Sequence, residues 1–165
     1  MRTDERPLAV LASRVRTPAL LAWLRLARVF QKVDRVSAAH LRRYGLTVAQ
    51  FDVLAQIGAG EGMSQQELAD SLLVTKGNVC QLLDRMERTG LLVRRQEGRT
   101  NRVFLTVDGR ALCARAVPDQ ERTLVALFAA LSPEEQGELL RLLRKLDHAI
   151  DQPGPAMARD FSAAE

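Results

Sequence analysis

The chain has 165 residues, 47% of them hydrophobic, with 24 lysines and arginines against 20 aspartates and glutamates and a net charge of +4. That size suits one domain with its own core, and the absence of a long apolar run excludes a membrane-spanning helix. Two cysteines are too few for a disulfide scaffold, and two histidines with no glycine-rich phosphate loop or metal-spaced cluster assemble neither a catalytic nor a metal site, so no enzyme activity and no cofactor are expected.

Residues 1–16 read as an N-terminal arm without an apolar leader and small-residue cleavage site, which points to a cytoplasmic, reducing setting. Thr17-Pro18 reads as an N-cap followed by proline at the first helical position. Leu20, Leu21, Leu24, Ala27 and Val29 then mark a helix running to Tyr44 and ended by Gly45. Thr47-Val48-Ala49-Gln50 has a capping-box pattern and opens a helix through Leu54 and Ile57, up to Gly58 and Gly60. Ser64-Gln65-Gln66-Glu67 repeats the pattern before Leu68, Ala69 and Leu72, and Thr75 is a further N-cap after a tight turn. The helix from 76 to about 89 carries Val79, Leu82, Leu83 and Met86 on one stripe, with Gly77, Gln81, Asp84 and Arg88 facing away, and Gly90 stops it. Residues 91–95 and 102–106 are short strand candidates joined by a turn over 96–101. Residues 107–130 read as a long helix that Pro118 should kink or interrupt. Ser132-Pro133-Glu134-Glu135 caps a last helix carrying Leu139, Leu140, Leu142, Leu143, Leu146 and Ile150. That is more apolar surface than one small domain covers, so either a partner chain or the first helix must bury it. Residues 151–165 read as a disordered tail.

Two capped helices at helix-turn-helix spacing followed by a β-hairpin make a winged helix, so the expected fold is mainly α with a small β-wing. Its second helix offers its first residues to base edges in a major groove. Lys76, Gly77, Asn78 and Gln81 hold that position, with Asn78 and Gln81 suited to adenine and Lys76 to guanine or phosphate. Ser64 and Gln65, at a helix start, suit phosphate. Thr75 and Asn78 serve equally well as helix caps. Residues 85–102 hold six arginines against two acids. Arg99 at the turn suits a minor groove. Strand alternation turns only one of Arg94 and Arg95 towards DNA, and Arg85 and Arg88 have an alternative as solvated charges or as partners of Asp84 and Glu97. Charge is segregated along the chain: residues 2–44 hold ten basic and three acidic residues, residues 119–165 five and nine.

From about 18 to 150 the chain resembles the multiple antibiotic resistance regulator (MarR) family of winged-helix transcription factors. The resemblance rests on Gly45-Leu46-Thr47 with Gln50-Phe51, Glu67-Leu68-Ala69, Val74-Thr75-Lys76-Gly77-Asn78, Leu83-Asp84-Arg85-Met86-Glu87-Arg88 with Gly90-Leu91, and Leu105-Thr106 with Gly109. The family's wing Asp-x-Arg falls on Glu97-Gly98-Arg99, the acid one methylene longer. The resemblance implies a bacterial or archaeal homodimer on a pseudo-palindromic double-stranded operator. Residues 46–106 would bind DNA, with residues 17–45 and 107–150 as dimerisation helices. A small aromatic acid or oxidation would release it. By placement, Trp23, Arg28, His40, Tyr44, Phe51 and Cys113 are effector candidates, each with ordinary packing as the alternative. Cys80, at the border of core and DNA face, is the redox candidate, with an inert thiol as its alternative. The peroxide-sensing branch carries its cysteine near the start of the first helix, where this chain has none. A protein-interaction module that has lost DNA binding is the other function class, separable by the salt dependence of DNA affinity.

Overall fold

The computed structural model describes residues 17–152, so the expected arm over 1–16 and the tail beyond Gln152 lie outside the described residues. Six helices and a three-stranded antiparallel sheet run in the order α1 (Pro18–Leu41), a 3₁₀ turn (Arg42–Tyr44), α2 (Val48–Ala59), β1 (Met63–Ser64), α3 (Gln65–Ser71), α4 (Lys76–Arg88), β2 (Leu92–Glu97), β3 (Thr100–Leu105), α5 (Val107–Phe128) and α6 (Pro133–Asp151). The chain divides into two compact units, Met1–Leu124 and Val125–Glu165.

All three capping boxes form. Thr47, Ser64 and Ser132 each accept the amide three residues on, and Gln50, Glu67 and Glu135 reach back to the cap amide. Thr75 accepts the Asn78 amide at 3.3 Å. Thr17 differs: its side chain caps nothing, and its carbonyl takes the Leu20 and Leu21 amides instead. Helix α1 tightens into a 3₁₀ turn before Gly45 rather than staying α-helical to Tyr44. Gly45 (φ 68°) and Gly90 (φ 73°) then close their helices in left-handed conformation. At the latter the Gly90 amide bonds Glu87 O at 2.9 Å and the Leu91 amide bonds Met86 O at 3.0 Å, the paired bonds of a Schellman ending. The turn between α3 and α4 holds Leu73 at φ 53°, 93% exposed.

In the first unit the core is one cluster from α1 to α5. Val53, Leu54 and Ile57 of α2, Leu68 of α3, and Val79, Leu83 and Met86 of α4 are fully buried and meet Leu92, Val103 and Leu105 of the sheet. The sheet order is β1-β3-β2. Strand β1 is too short to read from hydrophobic alternation, and it exists because β3 offers it a free edge, pairing Met63 with Val103 and Ser64 with Arg102. The hairpin is longer and its turn tighter than expected: Glu97 pairs with Thr100, leaving a two-residue loop of Gly98 (φ 63°) and Arg99. Positive φ at the first loop position is the demand of a type II′ turn, which glycine meets without strain.

Of the expected kink or interruption at Pro118, the interruption does not occur: helix α5 runs from Val107 to Phe128 with the proline inside it. Its start is locked onto the end of α4, where Thr106 Oγ1 accepts the Gly109 amide at 3.0 Å and donates to Gly90 O at 2.6 Å. Ala116 and Gln120, on either side of the proline, are buried within the first unit. Packing on both sides holds the helix where the missing amide alone would favour a break. In the second unit α6 buries none of its residues, and Leu140, Leu146 and Ile150 are 48%, 50% and 59% exposed. Asp151, expected in the tail, closes this helix.

Gly109 passes so close to Leu91 that an added Cβ would lie 1.9 Å from the Leu91 carbonyl oxygen. Backbone cannot step aside as a side chain can. Gly109→Ala is therefore expected to destabilise the fold by about 3 kcal/mol, the upper end for overpacking, in urea or thermal unfolding; unchanged stability would show that α5 shifts freely on α4.

Candidate nucleic-acid interface

Three elements converge on one polar cleft of about 320 Å³: Ser64, Gln65 and Gln66 from the start of α3, Lys76 from the start of α4, and Arg99, Thr100 and Asn101 from the wing tip. Four of the residues singled out in the sequence thus meet, although Gln65 and Arg99 lie far apart along the chain. Gln66, beside Gln65 on α3, was missed, as were Thr100 and Asn101, because only the register of the hairpin brings its return strand to this edge.

Capping decides which donors remain for a ligand. The Ser64 amide is taken by Glu67 Oε2 at 2.7 Å and its oxygen accepts the Glu67 amide at 3.1 Å, so the hydroxyl proton remains and the amide does not. Those bonds to Ser64 also hold the Glu67 carboxyl below its ordinary pKa. Cys80 Sγ donates to Gln65 Oε1 at 3.2 Å, which ties α3 to α4 and leaves the Gln65 amide nitrogen as a donor. Thr75 is the cap of α4, and Asn78 contributes to it only a backbone amide; the Asn78 side chain is exposed. Asn78, Gln81 and Arg85 line a second hollow of about 360 Å³ with Asp52 of α2. Burial, with Asp34 nearby, pushes the Asp52 carboxyl above its usual pKa. Gly77 is exposed, with open space where a Cβ would stand.

The two adjacent wing arginines part company. Arg94 pairs across the ladder with Val103, on the face that also carries Leu92 and Leu105, whereas Arg95 pairs with Arg102 on the other. Arg94 is engaged by Asp84 Oδ1 at 2.7 Å and by Glu87. Its neighbour Arg95 is exposed and lies over the Phe104 ring at 5.1 Å. The partners expected for Asp84 and Glu97 are therefore corrected: Asp84 pairs with Arg94, and Glu97 with Arg102 at 3.1 Å, because both are cross-strand or helix-to-strand pairs that linear spacing does not reveal. Arg88 instead bonds the Asp84 carbonyl at 3.1 Å. Among the described residues, Arg85, Arg95 and Arg99 take part in no ion pair.

The effector candidates do not form one group. His40 and Tyr44 join Asp119 of α5, with His40 Nε2 3.0 Å and the Tyr44 hydroxyl 2.7 Å from Oδ2, and Thr123 Oγ1 3.0 Å from His40 Nδ1. The Tyr44 hydrogen bond, with Arg122 and His40 behind it, holds the Asp119 carboxyl below its ordinary range and raises the Tyr44 phenol. Cys113 instead packs on α2, its Sγ 3.7 Å from Leu54 O and against Gly58, and burial pushes its thiol up. Phe51 packs against the core. Trp23 is 61% exposed and Arg28 half-buried, both further up α1.

The MarR family model matches residues 44–102, the span holding both helices and most of the wing. The chain is also 39% identical over 134 residues, 81% of its own length and 91% of the other's, to an uncharacterized HTH-type transcriptional regulator of Bacillus cereus. The chain belongs to the MarR family. As such it is a winged-helix transcriptional regulator and not an enzyme. Among solved structures it is similar to the transcriptional repressor CouR bound to a 23-mer DNA duplex, at 31% identity over 74% of this chain and 89% of that one, with a TM-score of 0.68. A MarR family protein of Mycobacterium tuberculosis in complex with salicylic acid is also 31% identical, over 73% and 92%, with a TM-score of 0.60.

Within the described residues of this MarR protein no helix is long and apolar enough to cross a membrane. Because the folded-state pKa of Asp119 is depressed, the stability it contributes is complete above the unfolded value of about 3.9 and is lost as pH falls through the folded one. The melting temperature of the wild type should therefore fall more steeply below about pH 4 than that of Asp119→Asn; parallel acid profiles would show that this network contributes nothing.

Proposed function

We propose that this MarR-family regulator acts as a homodimeric repressor on a pseudo-palindromic operator near its own gene, and that a small aromatic acid releases it. The convergence of Ser64, Gln65, Lys76 and Arg99 on one polar cleft carries the DNA reading. An anionic backbone seated there meets a lysine, an arginine, a hydroxyl and an amide from three elements at once, and contacts of that kind position a protein on a duplex without reading sequence. Beside the cleft, Lys76, Gly77, Asn78 and Gln81 open the exposed face of α4 and are proposed to read the major groove, with Arg85 and Arg95 flanking them, Thr75 capping the helix, and Arg99 entering a minor groove. CouR, seen on a duplex, supports this partner.

Residues 46–106 are proposed as the DNA-binding part, with 17–45 and 107–150 supplying the dimer. The support is apolar surface left without cover: Trp23, Val29 and Phe30 on α1 are 61%, 53% and 69% exposed, and the leucines of α6 stand uncovered along a helix that buries nothing. Two recognition helices on one face of a duplex must stand about 34 Å apart, so an effector that changes their separation by a few ångströms lowers affinity. The salicylic acid in the M. tuberculosis relative favours an aromatic acid, with His40 and Tyr44 as the best-connected contacts and Trp23, Arg28, Phe51 and Cys113 as the remainder.

The test is binding to duplex from the gene's own promoter region at two salt concentrations, beside a scrambled duplex. Arg99→Ala should weaken specific binding by about 1.5–3 kcal/mol, the range for charged hydrogen bonds, and leave the dimer intact; wild-type affinity would remove the wing tip from the interface.

The contact of Cys80 with Gln65 favours a second reading, in which oxidation of the thiol releases DNA. Peroxide should then abolish binding of the wild type and spare Cys80→Ser, and equal sensitivity of the two would dismiss it.

A further inference from the structure

We propose that Arg94 is a positioning residue that makes no contact with DNA, and that Glu87, an acid beside the interface, is required for DNA affinity because it clamps Arg94 and so aims the wing. The proposal rests on the DNA reading above and names the part that sets its geometry.

Asp84 and Glu87 stand three residues apart on α4 and so share a face. Glu87 grips one residue of β2 by both backbone and side chain: Oε1 accepts the Arg94 amide at 3.0 Å and Oε2 accepts Arg94 Nε at 2.9 Å. Asp84 closes the fork at 2.7 Å. The Arg94 side chain is only 25% exposed, and the Glu87 carboxyl is held below its ordinary range by the same guanidinium. An arginine in this state has committed Nε and Nη2 to two carboxylates, and drawing it to a phosphate would strand both acids beside DNA.

The other strand of the wing is held separately. Arg102 Nη1 donates to Gly62 O at 2.6 Å and its Nε meets Glu97 at 3.1 Å. Each strand thus has one arginine held by protein partners, the two on opposite faces of the ladder, while Arg99 stands at the tip. Three strand steps carry β2 from Arg94 to Glu97, where the turn holding Arg99 begins, a lever of about 10 Å, so a tilt of about 10° at the clamp moves the tip by about 2 Å. That displacement exceeds the tolerance of a hydrogen bond.

The sign of one substitution separates this from simple electrostatics. Removing a negative charge near DNA should raise affinity if charge alone mattered, whereas Glu87→Gln, which keeps shape and loses the clamp, is expected to lower operator affinity about tenfold. Arg94→Gln should lower it similarly, with the slope of log affinity against log salt unchanged; a phosphate-contacting arginine would reduce that slope by about one. The double variant should bind no worse than the weaker single one, as members of one unit do. Amide exchange in free protein supplies a readout independent of DNA: in Glu87→Gln the β2 amides from Arg94 outward should exchange faster, while those of α2 and α4 stay protected. Equal or tighter binding by Glu87→Gln, a reduced salt slope for Arg94→Gln, or unchanged exchange in the wing would overturn the proposal. Failure of the wild type itself to bind specifically would bring down the DNA reading and this proposal together, and is distinguishable because it shows before any substitution.

Discussion

Helix α4 has to be dry on one side and open on the other. Val79, Leu83 and Met86 are fully buried while Gln81, Asp84, Arg85 and Arg88 stay exposed, so thirteen residues serve both the core and the outward surface. The buried stripe, worth about 1.5–3 kcal/mol for each apolar side chain, fixes the rotation of the helix about its axis. That rotation decides which polar side chains face outward. Neighbouring elements then fall into place around it: α3 meets it through the Cys80 to Gln65 contact, the sheet through Leu92 and Arg94, and α5 through the Thr106 bridge to Gly90. The exposed face can be varied for recognition without loss of the fold, because its residues carry little of the core.

Charge in the wing is sorted by the pleat of the sheet. Alternation sends Arg94 and Arg95 to opposite faces, and only the first finds carboxylates, since Asp84 and Glu87 of α4 lie on its side. On the other face Arg95 and Arg102 stand directly opposite each other, an unfavourable like-charge pair. It is relieved because Arg102 turns to Glu97 and the Gly62 carbonyl and Arg95 turns onto Phe104. Counting arginines therefore overstates the positive surface available to a ligand. Of the arginines between 85 and 102, Arg85, Arg88, Arg95 and Arg99 take part in no ion pair among the described residues, and their charge is available to a phosphate backbone.

The two compact units differ in how they satisfy their apolar residues. The first has a closed core with ten large side chains fully buried. The helix of the second buries none, though its capping box, proline start and leucine stripe make it a well-specified helix. A stripe of that kind stands without cover along α6, and in the first unit Trp23, Val29 and Phe30 of α1 are likewise exposed.

Local chemistry was legible in the sequence because its causes are local. Capping boxes at Thr47, Ser64 and Ser132, the Schellman ending at Gly90 and the stripe of α4 each depend on residues within one or two turns of each other, and all formed. The extent of the hairpin, the strand β1, the continuity of α5 through Pro118 and the partners of Asp84 and Glu97 depend on groups distant in the chain, and spacing carries no record of them. The candidate interface divides in the same way. Lys76, Gly77, Asn78 and Gln81 follow from the start of one helix, whereas the inclusion of Thr100 and Asn101 and the choice of Arg94 over Arg95 as the paired arginine were decided by tertiary structure. By itself the sequence determined the helices, their ends and the residue types offered to a ligand, since these come from periodicity and short-range hydrogen bonds. Only the fold decided which of those side chains are already paired, because a salt bridge between strand and helix is a fact of distance in space.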